Sequence, residues 1–262
     1  MPSSSLPSQS PLLQVFAIAV PKKWGRFDLA DSLEFDFHDG DILVVSSKFV
    51  AMSEGRVVKL DSVTPGARAR RAAKKFKMDD PRLAQLVLDE SDEVVGGIAG
   101  FMLTIRKGMI APNAGIDKSN VPAGYAILYP KDPFKSARDL RQKFKEKGLN
   151  VGVVVADSRL MPTRRGTTGV AIACAGFEPT SDERGKQDLF GNRLRVTFRA
   201  VADSLATAGV AVMGESSEST PAAVVRGFPV SWTDRKLSWK DLAVPSKIDI
   251  YLQGLRRSYK QF

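Results

Sequence analysis

Two short, almost unbroken apolar runs constrain this chain most: Asp41-Ile-Leu-Val-Val45, entered by Asp39-Gly40, and Val151-Gly-Val-Val-Val-Ala156. Both are brief and rich in β-branched residues, which predicts a buried strand for each. Both run directly into polar groups. The first delivers Ser46-Ser47-Lys48, and the second places Asp157 as the first residue past its end, with Ser158 behind it. Polar side chains at the ends of buried strands are where ligands are commonly met.

The rest of the chain alternates between strand and helix signals. Leu13 to Val20, Leu194 to Ala200 and Ala222 to Val225 read as further strands, and Phe101 to Arg106 with Met109 to Pro112 reads as a hairpin turning on Lys107-Gly108. Prolines open two helices, Pro65 to Lys77 and Pro81 to Asp89. Pro133 to Lys147 carries Phe134, Ala137, Leu140 and Phe144 on one face and stops at Gly148. Asp203 to Met213 is a fourth helix. There is no internal repeat and no linker. The expected organisation is a disordered tail over residues 1–12, a catalytic unit over 13–230 in two interleaved lobes, and a C-terminal extension over 231–262 without a clear period.

Composition narrows the chemistry. One cysteine and one histidine in 262 residues exclude a thiol- or imidazole-ligated zinc site and an internal disulfide framework. Cys174 sits in the apolar run Val170-Ala-Ile-Ala-Cys-Ala and reads as a buried thiol, while His38 lies in a turn. A net charge of +10 makes anions the natural partners. The basic residues are spread along helix faces without interleaved aromatics, which disfavours nucleic acid. No apolar run is long enough to span a membrane and the N-terminus lacks a signal-peptide pattern, so the expected location is cytoplasmic.

Three polar, glycine-containing stretches stand apart: Asn113 to Asn120, Asp157 to Gly169, and Arg184 to Gly191. Asp117 and Asp157 read as loop carboxylates, each following a strand. Such acids hold hard divalent cations through oxygen, and Ser158 beside Asp157 adds a hydroxyl of the kind used with phosphate-bound cations. Glu215, with Ser216-Ser217 in a separate loop led by Gly214, offers a third oxygen ligand. Arg164 and Arg165, followed by Gly166 and Gly169, suit a charge-neutralising role on phosphate oxygens during transfer. No Walker-type loop and no Gly-x-Gly-x-x-Gly follows a strand, so any nucleotide site is an unusual one.

Taken in order, the blocks Gly40 to Lys48, Glu54 to Val58, Asp80-Pro-Arg82, Asn113 to Asn120, Arg164-Arg-Gly166, Thr168 to Ile172, Asp188-Leu-Phe-Gly191 and Met213-Gly214 resemble the coenzyme F420-0:L-glutamate ligases. These enzymes add γ-linked glutamates to a deazaflavin coenzyme using GTP. The resemblance implies an α+β fold with mixed sheets and helices, and an interlocked homodimer with its nucleotide site near the subunit interface. It implies two divalent cations, Mg²⁺ or Mn²⁺, on Asp117, Asp157, Ser158 and Glu215. It implies GTP contacts from Val20, Pro21, Lys22 and Lys23, from Ser46, Ser47 and Lys48, from Asn120, and from the loop Met213, Gly214, Glu215, Ser216, Ser217, Glu218, Ser219 and Thr220.

Three positions depart from the family pattern. Met52 stands where a lysine is usual, Ser158-Arg-Leu-Met-Pro162 replaces the usual segment after the second acid, and Thr167 replaces a glutamine. The leading expectation is a GTP- and metal-dependent ligase joining L-glutamate to the carboxylate of coenzyme F420-0 through an acyl phosphate. The alternatives are a paralogous γ-glutamyl ligase acting on another, folate-like acceptor, and a nucleotide-binding protein without catalysis.

Overall fold

The computed structural model describes residues 12–258, with nothing said of side chains beyond residue 254. The expected N-terminal tail, Leu12 apart, lies outside that range. The fold is α+β. Its centre is a five-stranded sheet in the order β1 (Gln14–Ile18), β12 (Ala222–Arg226), β2 (Ile42–Ser46), β8 (Gly152–Leu160), β9 (Thr167–Ala175). Only the β2–β8 pair is parallel; the other neighbours run antiparallel. Ile42 to Val45 are fully buried, and successive side chains point to opposite faces, so both faces of the sheet are covered there.

Helix α5 (Val201–Met213) packs against all five strands, and α4 (Pro133–Glu146) packs against β8 and β9. The helix comes unusually close to β9: a Cβ at Gly169 would lie 2.3 Å from the backbone oxygen of Ala206. Gly169 therefore serves helix–strand packing, not approach to a ligand. Helix α4 shows the predicted face, with Phe134, Ala137, Leu140 and Phe144 buried and Asp132 capping its start by accepting from Lys135 N at 2.9 Å.

After β2 the chain enters the short helix α1 (Ser47–Ser53) and leaves the main core. The segment from β3 (Val57–Lys59) to β7 (Tyr125–Ile127) builds a second apolar cluster. In it α2 (Ala67–Lys75) and α3 (Pro81–Glu90) lie with the sheet of β4 (Glu93–Ile98), β5 (Phe101–Arg106) and β6 (Met109–Pro112). The predicted hairpin at Lys107-Gly108 is β5–β6. Chain then returns through α4 to β8.

One expectation is corrected. Leu194 to Ala200 is not one strand. Only β11 (Phe198–Ala200) forms a strand ladder, with β10 (Thr180–Asp182), and the intervening residues project as an exposed, hydrogen-bonded loop that finds no core to bury against. The C-terminal extension, in which the sequence shows no clear period, packs on the main core over its described residues. Leu237 is buried in the main core and Trp239 meets Phe134 edge-on at 5.3 Å. Asp234 pairs with Arg141 and with Lys145, the latter at 2.7 Å, and α6 (Ile250–Ser258) closes the described chain.

Candidate active site

One cavity of about 770 Å³ opens where β2 ends at Ser46 beside Ala156 of its parallel neighbour β8. Ser46 closes β2 and Ser47-Lys48 begins α1, so the predicted polar strand end faces this space. Residues 20–23 line one wall. They are tied to the loop after α5, since Val20 N donates to Ser219 O at 2.8 Å and Ser219 Oγ to Val20 O at 2.9 Å. That loop, residues 213–220, lines a second wall. Asn120 reaches across to it, its Nδ2 donating to Ser216 O at 2.9 Å. Lys22 and Lys23 line the cavity with no ion pair among the described residues.

Asp157 is placed differently from expectation. Strand β8 does not stop at Ala156. A bulge falls between Val155 and Ala156, and the strand then continues to Leu160, pairing Asp157 with Val170. The extra residue of the bulge is Ile172 on β9, and Asp157, inside the continuing β8, lines the cavity. Its Oδ1 accepts from Ser47 Oγ at 3.1 Å. Its Oδ2 accepts from Arg159 Nε at 2.9 Å and from the Tyr129 hydroxyl. Arg159 is 8% exposed and also donates to Ile110 O at 2.9 Å and to the Tyr129 oxygen. Burial opposes the charge on Arg159, but Tyr129 and Asp157 more than offset it and hold the guanidinium protonated. Burial, followed by the charge of Asp157, drives the Tyr129 phenol well above its ordinary value.

Asp117 is delivered by an unusual backbone. Asn113, Ala114 and Gly115 follow one another at φ 48°, 54° and 75°, a left-handed run that only Asn and Gly take readily. Asn113 Oδ1 helps to hold it by accepting from Met102 N at 2.9 Å. Gly115 has a second constraint: a Cβ there would lie 1.8 Å from the Tyr129 ring. Asp117 then bridges Ile127 through two backbone hydrogen bonds and turns its carboxylate into the cavity. Oδ2 meets Lys48 Nζ at 2.6 Å and Ser119 Oγ at 2.8 Å, while Oδ1 accepts from Ser119 N at 2.7 Å. Burial pushes this carboxyl up, and Lys48 with Ser119 outweighs that and leaves it below its usual value.

Ser158 Oγ donates to Glu215 Oε1 at 2.5 Å, and Thr167 Oγ1 donates to the same oxygen at 3.0 Å. The fold therefore brings Asp117, Asp157, Ser158, Glu215, Asn120 and the three predicted nucleotide segments onto one cavity. Arg164 and Arg165 are not among its lining residues. They stand exposed in the turn between β8 and β9. The Arg184 to Gly191 stretch is also elsewhere, in the projecting loop between β10 and β11. Sequence reading missed Tyr129 and Arg159, which fix Asp157, and Trp24, which lines the cavity and packs edge-on to Tyr125 at 5.4 Å.

The donors facing the cavity are oxygens, which suits Mg²⁺ or Mn²⁺ over softer metals. Among the described residues no three Asp, Glu, His or Cys side chains converge. A cation here would thus draw on at most two carboxylates, with hydroxyls and ligand oxygens completing its shell.

The family model described as F420-0:Gamma-glutamyl ligase matches residues 26–227. A protein of Methanopyrus kandleri named coenzyme F420:L-glutamate ligase is 39% identical over 202 residues, covering 76% of this chain and 79% of the relative. One of the same name from Natronomonas pharaonis is 42% identical over 206 residues, covering 76% and 79%. A third, from Haloarcula marismortui, is 39% identical over 254 residues, covering 93% and 97%. That last match covers more than residues 1–230 can supply, so the C-terminal segment has a counterpart there. The chain belongs to the F420-0:Gamma-glutamyl ligase family, and it is a ligase by that membership.

Proposed function

We propose that this protein joins L-glutamate by an amide bond to the carboxylate of coenzyme F420-0, using GTP and divalent cations. The observation that carries the reading is the single cavity that gathers two separated carboxylates, the free ammonium groups of Lys22 and Lys23, and the loop 213–220. The names of the relatives supply the acceptor and the amino acid. In this reading the γ-phosphoryl of GTP passes to the acceptor carboxylate, giving an acyl phosphate, and the glutamate amine displaces phosphate. Asp157, Ser158 and Glu215 would hold one cation and Asp117 a second, and bound cations neutralise the triphosphate. Lys22, Lys23 and Lys48 bind phosphate oxygens, and Asn120 braces the loop against which the nucleotide lies. Arg159 and Tyr129 keep Asp157 aimed.

Arg164 and Arg165 would reach a reacting phosphate from a neighbouring subunit or through movement of the β8–β9 turn. The homodimer is supported by Leu189, Phe190 and Val196, more than four-fifths exposed on the β10–β11 loop, where a partner surface would cover them. A cytoplasmic setting accords with the buried free thiol of Cys174. Among the described residues no helix is long and apolar enough to cross a membrane.

Glutamate-dependent GDP release in the presence of F420-0 with Mg²⁺ and Mn²⁺ tests the assignment. No release with any combination would overturn it. A second reading keeps the chemistry and changes the acceptor. It is favoured by Leu160 and Met161, apolar and exposed in the segment that departs from the family pattern. Release with a folate-like carboxylate and none with F420-0 would decide for it.

A further inference from the structure

The two acids of the cavity are compensated in different ways. Asp157 commits one oxygen, Oδ2, to Arg159 and Tyr129, and leaves Oδ1 with a single donor, the Ser47 hydroxyl at 3.1 Å. A hydroxyl can rotate and present a lone pair instead. A divalent cation can therefore reach Oδ1 of Asp157 without any protein charge moving.

Asp117 is guarded by charge instead, with Oδ1 on the fixed backbone N–H of Ser119 at 2.7 Å and an ammonium on Oδ2. Lys48 Nζ lies 2.6 Å from Oδ2 and 2.6 Å from Ser119 Oγ, so the ammonium sits on the hydroxyl and carboxylate oxygens that a cation would use. An ammonium and a divalent cation at contact on one carboxylate repel strongly in a partly buried setting. The ammonium has somewhere else to go. Lys48 itself lines the cavity beside Ser46 and Ser47, so its flexible stem can turn to an anion there without leaving the space.

We propose that Lys48 is a placeholder cation on Asp117, which keeps a divalent ion off that acid until a polyphosphate enters and takes the ammonium. Cations then load in order, at Asp157 first and at Asp117 only together with the nucleotide. The inference rests on the metal-dependent reading above. Its consequence is that the charge needed for phosphoryl transfer is assembled only around bound nucleotide. Lys48 is a positioning residue here, acting through Asp117.

The test is Mn²⁺ binding by the full-length, metal-free protein, read as loss of the free-ion EPR signal. Titrations are run with and without a non-hydrolysable GTP analogue, subtracting the analogue's own Mn²⁺ uptake. The wild type is expected to take one Mn²⁺ without the analogue and a second only with it. Lys48→Met is expected to take two without the analogue, the second up to about fivefold tighter than in the wild type, the factor expected when one partly exposed ion pair's competition is removed. Lys48→Arg keeps the charge and should behave as the wild type, and a preserved melting transition shows that the Met variant is folded. Two equal sites in the wild type without nucleotide, or a folded Lys48→Met with unchanged uptake, would overturn the proposal. Absence of Mn²⁺ binding in every variant would overturn it and the metal-dependent reading together. Ordered loading with no turnover on F420-0 would support the placeholder and remove only the substrate assignment.

Discussion

Asp157→Asn separates the structural from the chemical role of one residue. The side chain accepts from Arg159 Nε at 2.9 Å, from the Tyr129 hydroxyl, and from Ser47 Oγ at 3.1 Å. An amide can keep all three contacts: its carbonyl takes the place of Oδ2 and its NH₂ faces Ser47 Oγ, which can accept. What it cannot keep is the charge opposite Arg159, a side chain only 9% exposed. Removing one partner of a buried pair costs about 3–5 kcal/mol. The retained hydrogen bonds reduce that here to roughly 2–3 kcal/mol, since bonds to charged groups exceed neutral ones by about 1–1.5 kcal/mol. For a chain of this size the melting temperature should fall by about 4–12 °C. The variant should therefore be measurably less stable as well as inactive. Differential scanning calorimetry without metal reads the first effect and GDP release at saturating Mn²⁺ the second. Adding Arg159→Met should recover much of the lost stability without restoring turnover, because a buried pair can be replaced by apolar side chains at little cost. An unchanged melting temperature in the single variant would refute the dependence of Arg159 on Asp157. Near-normal activity would refute its role as a ligand.

Three further outcomes follow from the geometry. Gly115→Ala must hold φ near 75° and push aside the Tyr129 ring, so it should cost upwards of about 1–2 kcal/mol; chemical denaturation checks this, and wild-type stability would show that the ring moves freely. Asp234 has its carboxyl lowered to about 2 by hydrogen bonds from Lys145 and Arg141. The folded value lies below the ordinary one, so its hold on the C-terminal segment is complete above about pH 4 and is lost as pH falls through 2. Tryptophan fluorescence, with Trp239 beside Phe134, should change across that window, and Asp234→Asn should show the acid-form signal already at neutral pH. Met52 lines the cavity one helical turn after Lys48, and Met52→Lys should tighten GTP binding by about tenfold, a hydrogen bond to charge outweighing the few tenths of a kcal/mol of repulsion between neighbouring ammonium groups; titration calorimetry showing no change would mean that the pocket is built around methionine.

The strands and helices that were readable are those whose burial is locally patterned. Ile42 to Val45 and the run from Val151 announce themselves by composition, and α3 and α4 by a proline with an aspartate cap before it. What was not readable depends on partners distant in sequence. Residues 194–197 carry strand-like side chains and bond back to residues 183–186, but the hairpin stands away from the core and a regular ladder is confined to 198–200 on Thr180–Asp182. The C-terminal segment shows no period because it is held point by point, by Leu237 in the core, Trp239 on Phe134 and Asp234 on α4, and not along one face.

The cavity shows the same division. Its acids, hydroxyls and lysines could be named from the sequence because chemistry-bearing residues in short polar stretches are conspicuous there. The residues that make Asp157 usable were not conspicuous. Tyr129 lies in an apolar stretch and looks like core, and Arg159 lies in a segment whose exposed neighbours suggested a loop. Arg159 meets Asp157 because β8 runs on past Ala156 and residues two apart in a strand share a face, and the Tyr129 ring fits there because Gly115 carries no side chain. A glycine at φ 75° in Asn113-Ala-Gly signals a special backbone, but what that backbone is special for, admitting the Tyr129 ring to the acid on another strand, is a tertiary fact. The arginines illustrate the converse. Arg164-Arg165 before Gly166 is an apt phosphate-binding sequence, and the fold places it on an exposed turn outside this chain's cavity, so any catalytic role requires a neighbouring subunit or movement of that turn.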